Sequence, residues 1–290
     1  TTQAAALTTQ QLEDLGTTQA LGLKDTQLRA VSSSDLQKLN TAAVELLTTS
    51  ALLGLSGAQV GALNTAQVVA LNTAQAAVLS TAQAAGLTSL QLQKMQTTDL
   101  QKLSTAAVSR LDADSLTGLS SVQVGLLGTD QVSALTSAQA AGLGGVQTMN
   151  LSTAQAVVLR SDVIKGLGTD AIAAISTKAF AVLSTVQVGA LTSEQVGALT
   201  TGQVIALNTA QAAVLNAAQL GGLDEAVVGS LQTDDLQKLN ATMVGGLTTA
   251  VVAALTTTQV GALTSVQVGG LSTTQAAALT TQQLEDLGTT

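Results

Sequence analysis

Counting from Leu7 in steps of eight, every position through Leu287 is Leu, apart from Val31, Met95 and Ile175, which are also large and apolar. No insertion or deletion breaks this register anywhere in the 290 residues. Such a ruler constrains the fold more than any other feature, because whatever one octad adopts its neighbours adopt too. The residues between the marks follow one pattern, seen plainly in NTAQVVAL (64–71), NTAQAAVL (72–79) and TTTQVGAL (256–263).

A second anchor lies three residues before each Leu. The fifth position of the octad is Val, Leu, Ala, Ile or Phe in every complete octad except one, where Thr148 takes the place. Apolar anchors spaced three and then five apart fit one face of a short helix, and the strict alternation of a half-buried strand is absent. The first position is Ser, Thr, Asn, Asp or Gly in 31 of the 35 complete octads, and Gln sits three residues later in 22. This is the capping-box pattern, so a helix start is written every eight residues.

One continuous α-helix does not satisfy the ruler. Eight residues at about 100° each would rotate the Leu stripe by roughly 80° per octad and wrap it around the rod. The spacing therefore predicts an all-α superhelical solenoid of very short helices, one per octad, with a β-solenoid as the alternative. Helices of about one and a half turns are far below the length at which an isolated helix persists, so only stacking against other octads can hold them. Leu63, Val68, Leu71, Leu79, Phe180, Leu191 and Leu263 are core positions in this reading.

A longer modulation overlies the octads. Gln is missing from the fourth position in runs at Asp35, Ala43 and Ala51, at Asp99, Ala107 and Ser115, at Val163, Ala171 and Ala179, and at Val227, Asp235, Met243 and Val251. All ten basic residues fall within or beside these runs. NTAQAAVL at 72–79 returns unchanged at 208–215, and the segment 1–18 returns letter for letter at 273–290, twice as far along the chain. The chain thus reads as a single continuous solenoid over 1–290, a window of a longer tandem array with a 272-residue repeat of two 136-residue halves. The modulation suggests about 8.5 octads per superhelical turn, which would align the charged runs, although a tighter coil of two or three octads is also consistent with the pattern.

Composition narrows the function. The chain has no Cys, His, Trp, Tyr or Pro and one aromatic, Phe180. Thiolate and imidazole metal sites, His acid and base chemistry, and aromatic stacking platforms are therefore missing from its repertoire. Neither a catalytic residue, a metal nor a cofactor is expected. Ten basic against eighteen acidic residues give a net charge of −8, which disfavours nucleic acid as a partner. Mean hydropathy is +0.41, yet polar residues interrupt every octad, so no membrane span is expected. The DLQKL segments at 35–39, 99–103 and 235–239 are either ordinary octads with solvated charges or contacts between turns or filaments. Lys38, Lys102, Arg110, Arg160, Lys165 and Lys238 are the interface candidates.

With octads of this kind over nearly its whole length, the chain resembles the very long, low-complexity bacterial proteins built of LTTAQVxAL-type repeats. The resemblance implies an exported surface, adhesin-like or filament-forming protein and brings no catalytic residues. The expectation is a noncatalytic structural protein, extracellular or at the cell surface, forming or decorating a filament, tube, sheath or adhesin stalk and associating with further repeats or identical chains. A surface ligand-binding or ice-binding array using the Thr, Ser and Asn rows is the alternative.

Overall fold

A computed structural model of the chain describes residues 9–287. Leu7 and the outermost residues of the repeated terminal segment lie outside them. Among the described residues the chain forms 34 α-helices and one 3-10 helix, Ser137–Gly142, with no strand. Each complete octad supplies one of these elements. The fold is the all-α repeat solenoid expected from the octads, and the β-solenoid alternative is not adopted.

The octad Asn64–Leu71 shows how each helix is made. Asn64 is extended, with φ −74° and ψ 165°, and caps the helix Thr65–Val69. Its side-chain oxygen accepts from the Gln67 N–H at 3.0 Å, while the Gln67 side-chain oxygen accepts from the Asn64 N–H at 2.9 Å. Both halves of the capping box are thus closed. Helix Gly57–Ala62 ends as its Leu63 turns extended, at φ −57° and ψ 137°, and Asn64 then starts the next helix. Among the described residues none has positive φ, glycine included. The helices therefore end without the left-handed cap that usually calls for Gly.

The chain divides into two compact units, Thr1–Leu143 and Gly144–Thr290. In the first, helix Gly57–Ala62 packs on Ser33–Leu36 before it and Thr81–Ala85 after it, three octads away in each direction. In the second, Ser193–Gly197 packs in the same way between Thr169–Ala174 and Ala217–Gly221. Contacts with the octad four places away come from side chains, as described below. Each unit is therefore a coil of between three and four octads per turn.

This corrects the 8.5-octad turn suggested by the charge modulation. So wide a turn would enclose a lumen lined by Leu, whereas the tight coil closes the fifth- and eighth-position side chains on one another. Leu63, Val68, Leu71 and Leu79 are buried in the first unit, and Phe180, Leu191 and Leu263 in the second. Burying one Leu and one Val per octad contributes roughly 3–6 kcal/mol. Glycine serves proximity here. A Cβ built on Gly86 would collide with the backbone of Gly57, one turn earlier.

Candidate functional site

The most specific feature of the structure is the seat of the fourth-position Gln. Gln67 is fully buried. Its oxygen serves the cap of its own helix, and its Nε2 donates to the carbonyls of Leu36 at 2.6 Å and Leu39 at 2.7 Å, 31 and 28 residues earlier. Those carbonyls belong to the fifth and eighth positions of the octad four places back. Gln203 in the second unit repeats the arrangement, donating to Ile172 at 2.8 Å and Ile175 at 2.9 Å. Gln59, Gln83, Gln91 and Gln131 do likewise in the first unit. One amide therefore caps its own helix and fastens two backbone carbonyls of the preceding turn.

The chemistry of the amide explains the choice of residue. An amide oxygen accepts and its NH2 donates twice, so all three roles are filled by one side chain. Each hydrogen bond contributes about 1 kcal/mol net, and leaving the buried groups unpaired costs about 1–3 kcal/mol each. First-position Asn adds to the seam from the surface, as where Asn64 Nδ2 donates to the Gln37 carbonyl at 3.2 Å.

Where Gln is replaced, the seat keeps part of its function or loses it. Ser115 is buried and its hydroxyl donates to the Leu87 carbonyl, 28 residues earlier, at 2.6 Å. Thr148, the exception at the fifth position, is also buried, and its hydroxyl reaches the Ala171 carbonyl at 2.7 Å. Asp99 and Asp235 occupy the seat as buried carboxyl groups. Burial pushes both above the ordinary aspartate range, and the neighbouring charge of Asp234 pushes Asp235 further.

The charged candidates from the sequence lie on the outside. Lys38, Lys102 and Arg110 in the first unit and Arg160, Lys165 and Lys238 in the second are all exposed. Lys38 pairs with Glu13, from an octad three places earlier, at 3.7 Å. Arg160 instead folds onto Asp162 in its own octad, with Nε–Oδ1 at 3.0 Å and Nη2–Oδ2 at 2.6 Å. These pairs are half-exposed, where such contacts are typically worth under about 1 kcal/mol. Asp112 acts as a helix cap, its Oδ1 accepting from the Asp114 N–H at 2.9 Å. Glu194 is held below the ordinary glutamate range by its own backbone N–H and the hydroxyls of Thr192 and Ser193.

Sequence reasoning assigned Gln to the capping box alone and missed its second role. A signal was present. Glu closes a capping box as well as Gln does, yet Glu never occurs at the fourth position, while Gln occurs 22 times. A demand for donors accounts for that bias, because a carboxylate has no hydrogen to give.

A family model described as the ALTTAQ repeat matches residues 58–89, 164–201 and 228–265. The chain is thus similar to that repeat family in three separate stretches, each containing Gln-bearing octads. No curated protein matches the chain. Fold, seam and family match together make this a tandem-repeat protein.

Proposed function

We propose that the chain is a noncatalytic structural protein that forms or decorates an extracellular bacterial filament, tube, sheath or adhesin stalk. The observation that carries this reading is the Gln seat, which repeats the same backbone contacts with a turn of like octads and draws on no foreign surface. A fold joined only by such neighbour contacts gains length by adding copies, so its copy number sets its reach. The low charge of the octads and their Thr and Ser cover suit close lateral packing with identical chains. No described helix is long and apolar enough to cross a membrane.

Electron microscopy of the purified protein, combined with protease shaving of the intact cells that make it, tests the proposal. Elongated particles or filaments and cleavage from outside the cell are the expected results. Isolated round particles, protected until the cells are broken, would overturn it.

A further inference from the structure

The DLQKL octads put Asp into a seat built for an amide donor. Asp99 and Asp235 are only 2% and 3% exposed. In both, Oδ2 is shut off from solvent and has no hydrogen-bond partner. The register of the Gln seam, read back four octads to the eighth and fifth positions, gives the carbonyls of Leu71 and Val68 for Asp99 and of Leu207 and Val204 for Asp235. A carboxylate there would set negative oxygens against carbonyl oxygens in a buried place, which is costly twice over. A neutral carboxyl has one O–H to give. Ser115 shows that a single hydroxyl in this seat is directed at the eighth-position carbonyl, that of Leu87.

We propose that Asp99 and Asp235 carry a proton in the folded chain and donate it in hydrogen bonds to the Leu71 and Leu207 carbonyls, making these two DLQKL octads proton-dependent seams between turns. The surroundings favour the neutral form. Helix Thr73–Ala77, packed against the helix of Asp99, has no ionisable group, and the open groove that Asp99 lines contains Glu45. Helices Thr209–Ala212 and Thr257–Gly261, packed against the helix of Asp235, have none either, and Asp234 adds a negative neighbour. Lys94, Lys102 and Lys238, the nearest cations in sequence, are exposed. Asp35, in the third DLQKL segment, differs. It is half-exposed and accepts from the Ser32 hydroxyl at 2.6 Å, so it is not part of the proposal.

The direction of the linkage follows from the raised folded-state values. The contribution of each seam is complete below the ordinary aspartate value of about 3.9 and is lost as pH rises through the folded-state value. Carbon-13 NMR of the side-chain carboxyls in the full chain tests this, with the two signals assigned by their loss in Asp99→Asn and Asp235→Asn. Asp99→Gln and Asp235→Gln, which install the residue of the other seams, give the same assignment if an Asn variant does not fold. The expected result is that both carboxyls keep the neutral signal as pH rises past the ordinary aspartate value of about 3.9. Titration of either residue at or below that value overturns the proposal for that seam, and a shift of the ionised signal on adding calcium or potassium chloride would assign the seat to a cation instead.

Discussion

Replacing Gln203 with Ala removes two bonds to the preceding turn and one to the Thr200 N–H, and leaves the buried Ile172 and Ile175 carbonyls unserved. The expected loss is about 2–4 kcal/mol, read from urea unfolding. Gln203→Glu is the sharper variant. It keeps the acceptor for the cap but, when ionised, has no donor for the carbonyls, so its folded-state pKa must rise. Its penalty should grow as pH rises above about 4 and level off only past the raised folded-state value, and as pH falls toward about 4 unfolding midpoints should approach those of the parent chain. Ser115→Ala removes a single bond from the same seat and should cost about 1–2 kcal/mol.

At the scale of the helix and its neighbours, the glycines separate two effects. Gly86 and Gly269 both have ordinary negative φ or helical backbone, so conformation distinguishes neither. A Cβ on Gly86 meets the Gly57 backbone, whereas one on Gly269 meets nothing within 4 Å. Gly86→Ala should therefore destabilise by about 1–3 kcal/mol through forced separation of two turns. Gly269→Ala should stabilise by about 0.5–1 kcal/mol, because it gains helix propensity at no steric cost. Thermal unfolding of the two variants compares them directly. The short helices, their caps and their apolar anchors were legible in the sequence because each is a local signal within a single octad. Which octads touch was not, since Gln67 and Leu39 lie four octads apart and nothing in either octad names the other. The modulation from Asp35 to Val251 pointed to a much wider turn, whereas the helices pack on those three octads away.

At the scale of the whole chain, octads are interchangeable in register but not in length. Deleting residues 256–263 removes Gln259 and brings Gln267 to the distance from the Val228 and Leu231 carbonyls that Gln259 had. The shortened chain should keep a cooperative transition with little change in midpoint. Deleting Thr257 alone leaves Thr256 and Gln259 one residue too close for a capping box and misplaces the amide, at an expected cost of about 3 kcal/mol. Unfolding curves and far-ultraviolet circular dichroism of the two deletions check this. Equal damage from both would mean that the octad is not the unit of construction.

The winding of the coil rests on the amide of the fourth-position Gln reaching the previous turn, and the side-chain NH2 protons of Gln67 report it most directly. Nuclear Overhauser contacts from these protons, identified by their loss in Gln67→Ala, should run to the backbone of Leu36 and Leu39. Slow exchange with solvent should accompany them. Contacts confined to residues 64–71, or reaching instead to octads eight or nine places away, would contradict the account.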